Sequence, residues 1–221
     1  MKVLVVAKSP VPGLAKTRLA ASVGDPAAAD CAAAALLDTL DAAVAAVGAE
    51  HRDRVVVSFT GDLAAGARAD DLRTALAGCT VVPQVGDGFA ERLVRAHLDA
   101  GPGPVVQVGM DTPQATAEHL HAAAAGLEAA DTVLGPADDG GWWVLARTDP
   151  AAAAPLAGVP MSTESTHDDT RDALVAAGFT VAATGPLLDV DTAADADLVA
   201  AAAPGTRFAA AWATCRRGVV S

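Results

Sequence analysis

Short runs of β-branched and other apolar residues alternate with long alanine-rich segments along this chain, and this alternation is the strongest constraint on its fold. Several runs are apolar at consecutive positions, as is typical of strands that helices cover on both faces. The pattern predicts a three-layer α/β/α fold with a mostly parallel, twisted sheet of about seven strands. We expect strands at residues 3–7, 54–60, 80–83, 105–110, 132–134, 142–146 and 180–183.

The segments between these runs are predicted to be helices. The clearest start signal is Asp25-Pro26, with Asp25 as N-cap and Pro26 in the first turn, and Gly48 is a suitable stop for the same helix. Further helices are expected at about 63–77, 89–100, 115–129, 164–177, 192–203 and 207–217. The chain has 221 residues and no low-complexity linker, so we expect a single domain spanning residues 1–221.

Charge is distributed unevenly along the sequence. The formal net charge is -12, which argues against a nucleic-acid partner or an anionic membrane surface. The first acid is nevertheless Asp25, and the segment before it carries Lys2, Lys8, Lys16 and Arg18. One positive segment in a negative protein indicates a local anion site.

Cysteine content and hydropathy bear on the compartment. The three cysteines form no C-x-x-C pair, which favours neither a disulfide framework nor a thiolate zinc site. The N-terminus lacks the pattern of a signal peptide, and we expect no membrane span. These features favour a reducing, aqueous compartment such as the cytoplasm.

The first loop that could bind a ligand follows the first predicted strand. In sheets of this type ligands bind beyond the carboxyl ends of the strands. Prolines such as Pro12 stiffen the loop, and Gly13 lets the backbone approach a ligand closely. Lys16 and Arg18 then supply two cations that suit a phosphate, with Lys8 at the strand end as a third. A proline turn followed by solvated charges is an equally good interpretation.

Acidic residues follow two of the later strands. Asp111 ends a strand that is otherwise uncharged, and Asp191 follows the last strand. Paired in space, these carboxylates could hold Mg2+ or Mn2+, which prefer oxygen ligands. The structural alternatives are a turn aspartate before Thr-Pro and a helix cap.

A dense polar cluster follows the fifth strand. Asp139 could act as a base or hydroxyl acceptor, and Gly140 and Gly141 allow close approach of a ligand. Asp-Gly and Gly-Gly are also favoured hairpin turns. Trp142 and Trp143 should point to opposite faces of a strand, so one of them could wall a pocket.

Hydroxyl groups precede the helix predicted at 164–177. Ser162 and Thr163 could bind a ligand through these hydroxyls. The same segment also suits the start of the helix.

Taken together, these segments resemble a bacterial glycosyltransferase-like family related to arsenosugar biosynthesis glycosyltransferases. The resemblance is carried by KSPVPGLAKTRL at 8–19, GMDTP at 109–113, LGPADDGGWWVL at 134–145, MST at 161–163 and DVDT at 189–192. It implies the GT-A, or nucleotide-diphospho-sugar transferase, fold. Molybdenum-cofactor nucleotidyltransferases and guanylyltransferases acting on phospholactate or phosphoenolpyruvate share that fold.

The resemblance also implies roles for individual residues. It places Lys16 and Arg18 on the nucleotide phosphates, Asp111 on the divalent metal, and Asp191 as second ligand by analogy with related nucleotidyltransferases. Other predicted contacts to sugar or acceptor are Asp139, Gly140, Gly141, Trp142, Ser162 and Thr163. The sequence departs from the pattern in two ways: tryptophans replace the usual tyrosines, and GMDT has one acid where Asp-x-Asp is typical.

The predicted function is a metal-dependent transferase that uses a nucleotide-activated donor and a small-molecule acceptor. In a glycosyl transfer from a nucleoside-diphosphate sugar, Lys16 would stabilise the departing diphosphate and Asp139 would orient or deprotonate the acceptor. The alternatives are nucleotidyl transfer from a nucleoside triphosphate to a phosphorylated acceptor, and a non-catalytic nucleotide-binding module.

Overall fold

The structure is a computed structural model that describes residues 1–219. All seven predicted strands are present in one sheet. They are β1 Lys2–Lys8, β2 Val55–Thr60, β3 Thr80–Pro83, β4 Val105–Val108, β5 Thr132–Pro136, β6 Trp142–Arg147 and β7 Val181–Ala183. Among the described residues, no helix is both long and apolar enough to cross a bilayer.

Eight α-helices are found in residues 1–219. They are α1 Thr17–Val23, α2 Asp25–Val47, α3 Ala69–Leu76, α4 Phe89–Asp99, α5 Ala117–Gly126, α6 Thr166–Ala176, α7 Ala193–Ala202 and α8 Arg207–Val219. Short 3-10 turns cover Ala49–Arg54, Leu63–Ala65 and Pro150–Gly158. The helix predicted at 63–77 is therefore divided into a 3-10 turn and α3.

The start of α2 differs from the prediction. Gly24, with a φ of 83°, is the N-cap, and Asp25 lies inside the first turn. The reason is the additional helix α1, whose last turn ends when the Gly24 N–H donates to the Ala20 carbonyl at 2.7 Å. A chain that leaves one helix and enters the next within one residue needs a backbone angle that glycine adopts easily.

The strand order is β3-β2-β1-β4-β6-β5-β7, and β6 alone runs antiparallel to its neighbours. From β1 the chain builds outward to β2 and β3, and then crosses back to place β4 on the other side of β1. A crevice opens at the carboxyl end of a parallel sheet where the order reverses in this way.

Helices cover both faces of the sheet, as the apolar strands predicted. On β1, Val3 and Val5 pack with buried residues of α2, α3 and α5, whereas Leu4 and Val6 pack with those of α4 and α6. A third cluster joins α1, α2, α7 and α8 around Phe208 and Trp212. The prediction of a three-layer α/β/α fold is confirmed.

A buried polar network joins β6 to α4 and to the loop before β4. Arg147 is fully buried and donates to the carbonyls of His97, Gly101 and Gly103 at 2.7–2.9 Å. Its Nε also lies 3.3 Å from His97 Nδ1, and His97 Nε2 lies 2.7 Å from Gln107 Oε1. Burial and the neighbouring guanidinium lower the pKa of His97 to about 3, so the neutral ring accepts from Arg147 and donates to Gln107.

We expect Arg147→Met to lower the free energy of unfolding by about 3 kcal/mol or more, because the buried His97 carbonyl and the partly buried Gly101 and Gly103 carbonyls lose their charged donor. Urea unfolding followed by circular dichroism measures this. The control is Arg95→Met, which removes only an exposed pair with Asp99 and should cost less than about 1 kcal/mol. Equal losses in the two variants would contradict a structural role for the network.

Candidate functional site

A crevice of about 500 Å³ lies over the carboxyl ends of β1 and β4, at the reversal of strand order. Its walls come from residues 6–8 and 109–112, the β5–β6 hairpin, the loop before α6, the start of α4 and the segment after β7. This volume falls within the range of small-molecule sites. The predicted location of the site at the carboxyl ends of the strands therefore coincides with this crevice.

Three carboxylates converge on one wall of the crevice. Asp111, Asp189 and Asp191 each present an oxygen within 4.8 Å of the others. The Val190 N–H donates to the Asp111 carbonyl at 2.9 Å, which ties the segment after β7 to the end of β4. An all-oxygen donor set of this kind suits a hard divalent cation such as Mg2+ or Mn2+.

Asp111 and Asp191 were predicted to form a pair of metal ligands, but no role was predicted for Asp189. The signal was present in the Asp-Val-Asp spacing, because residues two apart in an extended segment project to the same side. Asp189 and Asp191 are both half-buried, while Val190 between them is buried in the core.

Lys16 lies between two of these carboxylates. Its Nζ donates to Asp111 Oδ2 at 2.9 Å and to Asp191 Oδ1 at 2.8 Å, with 14% of the side chain exposed. Burial alone would lower the pKa of Lys16, but the charges of Asp111 and Asp191 outweigh it and raise the pKa above its ordinary value. Arg18, 75% exposed, adds a bond from Nη1 to Asp191 Oδ2 at 3.1 Å.

Negative charge in the triad is nonetheless incompletely balanced. Burial raises the pKa of Asp191, but Lys16 and Arg18 more than reverse the effect and hold that pKa below its ordinary value. Within residues 1–219, Asp189 forms no ion pair. Burial, followed by the charges of Asp111, Asp139 and Asp191, raises the pKa of Asp189 to about 7. The cluster therefore has capacity for a further cation.

The loop after β1 forms a smaller recess of about 240 Å³ behind the triad. Lys16, Arg18 and Lys8 line it together with Asp111 and Asp191. Lys8 Nζ also donates to the Leu14 carbonyl at 3.2 Å, which closes the loop. Pro12 and Gly13 form the exposed turn of this loop, with a φ of 80° at Gly13, and do not line either cavity.

The glycine-rich cluster is both a hairpin turn and a wall of the crevice. Asp139 Oδ1 accepts from the Gly141 N–H at 2.7 Å, and both residues line the crevice. Gly140 does not. Its φ is 87°, a Cβ there would collide with the Glu164 backbone, and its carbonyl accepts from the His167 N–H at 2.8 Å. Gly140 therefore packs against the start of α6, and its predicted contact with a substrate stays a prediction.

The hydroxyl-rich segment before α6 is divided between two roles. Ser162 lines the crevice and has a φ of 62°, which is uncommon for a residue with a side chain. Thr163 does not line the crevice. Its hydroxyl lies 3.1 Å from that of Thr166, and its N–H donates to the same oxygen at 3.0 Å, so Thr163 contributes to the start of α6. Its predicted contact with a substrate stays a prediction.

The two tryptophans point to opposite faces of β6, as the strand period requires. Trp143 packs with the α2 face and donates to the Gly185 carbonyl at 2.8 Å, while Trp142 packs with the α4 face. Both contribute to the crevice lining.

Some lining residues had not been predicted. Thr112 is buried, and its hydroxyl has no partner among the described residues. Arg92, Phe89 and Gln84 come from the segment between β3 and β4. The path of α4 across the sheet brings Phe89 and Arg92 to the crevice, and Gln84 reaches it from the end of β3, so no local sequence signal marked them.

Comparison with protein families gives one match. A family described as "Uncharacterized protein conserved in bacteria (DUF2064)" matches residues 39–163. No curated protein matches this chain significantly in sequence.

Solved structures share the fold over nearly the whole chain. A candidate nucleotide-diphospho-sugar transferase from Desulfovibrio desulfuricans G20 is 24% identical, with a TM-score of 0.79 over 98% of this chain and 95% of its own. A cytidylyltransferase from Leptospira borgpetersenii is 13% identical, with a TM-score of 0.55 over 88% and 82%. The 4-diphosphocytidyl-2C-methyl-D-erythritol synthase from Anaerococcus prevotii is 10% identical, with a TM-score of 0.56 over 90% and 97%. The predicted nucleotide-diphospho-sugar transferase fold is confirmed.

We expect Asp189→Asn to weaken Mn2+ binding by roughly tenfold or more, as Asp111→Asn should, because affinity for a hard cation depends on the number of charged oxygens. Titration followed by electron paramagnetic resonance measures the free ion. Asp138→Asn is the matched control, since it removes the same charge from an exposed hairpin residue outside the crevice lining. If Asp189→Asn bound Mn2+ like Asp138→Asn, the metal site would not include Asp189.

Proposed function

Because the chain belongs to the bacterial DUF2064 family and has the nucleotide-diphospho-sugar transferase fold, we propose that it is a metal-dependent transferase that uses a nucleotide-activated donor. One observation carries the proposal. The Asp111, Asp189 and Asp191 carboxylates meet beside Lys16 at the carboxyl edge of the sheet, within a crevice large enough for a nucleotide.

The three carboxylates would hold Mg2+ or Mn2+. When bound, the ion supplies positive charge that stabilises the negative charge developing on a departing diphosphate. Lys16 and Arg18 lie beside the same carboxylates and can contribute further charge to the phosphates. Lys8 lines both the crevice and the recess and extends this positive edge.

In the leading version the donor is a nucleoside-diphosphate sugar. The bond between the sugar and the diphosphate breaks, an acceptor oxygen forms the new bond to the sugar, and the acceptor proton leaves. Asp139 lines the crevice and is the candidate to orient or deprotonate the acceptor. The fold shared with the candidate Desulfovibrio nucleotide-diphospho-sugar transferase and the resemblance to arsenosugar-related glycosyltransferases favour this version.

Nucleotidyl transfer is the second candidate, and the composition of the triad favours it. One carboxylate follows β4 and two follow β7, in place of an Asp-x-Asp pair after β4. In this version a phosphorylated acceptor attacks the α-phosphate of a nucleoside triphosphate and pyrophosphate leaves. The acceptor is already anionic and needs no general base, so Asp139 would be dispensable.

Product analysis separates these versions. The protein is incubated with nucleotide sugars and nucleoside triphosphates plus Mg2+ or Mn2+ and candidate acceptors, and followed by phosphorus NMR. Nucleoside diphosphate released from a nucleotide sugar indicates glycosyl transfer, and pyrophosphate indicates nucleotidyl transfer. Saturable binding without turnover of any donor would contradict a catalytic role and leave a nucleotide-binding module.

We expect Lys16→Met to lower turnover by roughly 100-fold or more, because a charge that stabilises the departing phosphate is removed. The same variant should bind Mn2+ at least as tightly as wild type, since the ammonium no longer occupies the space between Asp111 and Asp191. Lys2→Met is the control, because the Lys2 ammonium bonds to the Ala100 carbonyl outside the crevice lining. Full turnover in Lys16→Met, or Mn2+ binding as weak as in Asp111→Asn, would contradict this role.

A further inference from the structure

The crevice extends over the edge of the sheet from one face to the other. On the α2 face lie Ala15, next to Lys16, and Met110, next to Asp111. On the opposite face lie Leu93 of α4, with Trp142 and Met161 packed against the same cluster. A ligand bound at the triad would therefore not occupy the α4 side of the crevice, and another group could bind there.

The α4 side of the crevice contains an arginine whose guanidinium has no hydrogen-bonding or ionic partner in the described part of the chain. Arg92 lines the crevice, and within residues 1–219 its side chain makes no hydrogen bond and no ion pair. Its Nε is enclosed and unpaired, whereas a buried donor is normally satisfied. By contrast, Arg95, which lies three positions further along the same helix, pairs with Asp99 at 2.9 Å.

The surroundings of Arg92 favour an anion with two oxygens that can accept from the guanidinium. Its Cζ lies 6.0 Å from the centroid of the Phe89 ring, and that ring is 43% exposed. A cation over an aromatic face is attracted by the ring, and the fork of N–H groups of a guanidinium matches a carboxylate or a phosphate. Lys8, the other cation in the crevice lining, is engaged with the Leu14 carbonyl.

Charge along the crevice decides where a second anion can bind. Asp111, Asp139, Asp189 and Asp191 line it and repel an anion from the triad side unless cations balance them. Arg92 is the cation on the opposite side. We propose that Arg92, whose guanidinium lies over the Phe89 ring, binds a carboxylate or phosphate group of the acceptor substrate. The identity of the ligand as acceptor rests on the proposed function, and the anion site itself does not.

Arginine side-chain NMR tests the anion site directly. Full-length protein labelled with 15N-arginine and saturated with Mg2+ is titrated with pyruvate and, separately, with methyl phosphate, and the Nε–Hε signals are followed. The Arg92 signal, assigned by its absence in Arg92→Met, should shift saturably with one or both probes while the Arg95 signal stays. An Arg92 signal that stays fixed while that of Arg18 shifts to saturation would overturn the proposal.

Variants keep the test independent of folding. Arg92→Lys retains a charge but not the fork, and should weaken binding of the probe by roughly tenfold, since hydrogen bonds to charged groups contribute strongly. Arg95→Met, the matched control on α4, should bind the probe like wild type. Equal affinities in Arg92→Lys, Arg92→Met and wild type would overturn the proposal.

Two further measurements separate the acceptor from the donor and this site from the proposed function. If a nucleoside diphosphate with Mg2+ shifts the Arg92 signal and blocks the probe, the anion belongs to the donor, and assignment to the acceptor is overturned. If the Arg92 shift persists in Asp111→Asn and no donor is turned over by the wild type, the transferase function fails while the anion site stands. With an active donor, Arg92→Met should raise KM for an anionic acceptor roughly tenfold and leave that of a neutral analogue unchanged.

Discussion

Repulsion between carboxylates at one edge of the sheet is the interaction on which the rest of this site depends. Unit charges about 4 Å apart near a protein surface interact by roughly 4 kcal/mol, so a cluster of three acids forms only where the fold and nearby cations enforce it. Lys16 supplies a buried cation, and Arg18 supplies an exposed one. Burial and the remaining negative charge of the neighbouring aspartates raise the pKa of Asp189 to about 7.

The backbone around the triad is held by hydrogen bonds that do not involve the carboxylates of Asp111, Asp189 and Asp191 themselves. The Val190 N–H bonds to the Asp111 carbonyl, and the Asp191 N–H donates to Asp195 at 3.1 Å. Asp195 and Thr192 form a capping box, so α7 begins directly after the last ligand candidate. The helix cap and the strand ends are held by their own hydrogen bonds. This rigid backbone keeps the three carboxylates close together despite their mutual repulsion.

Strands, buried faces and strand ends depend on residues that are adjacent in the sequence, and these features could be predicted. Apolar runs and their period defined all seven strands and both covered faces, and the ends of β4 and β7 placed Asp111 and Asp191 at one edge. Lys16 was predicted to bind phosphate, and in the structure its ammonium bonds to two carboxylates. The backbone of Lys16 itself is left-handed, with a φ of 49°, which no local pattern indicates. Arg92 was missed because its position follows from the crossing of α4 over the sheet.

Lys16 and a divalent cation are attracted to the same space between Asp111 and Asp191, and this shared preference has a consequence for the proposed reaction. An ammonium that gives up two carboxylate partners needs another anion, because an unpaired buried charge is costly. A diphosphate that arrives with its metal offers that anion at the same edge of the sheet. In the proposed function, metal and diphosphate would therefore reinforce each other's binding, and metal without nucleotide would compete with Lys16 for Asp111 and Asp191.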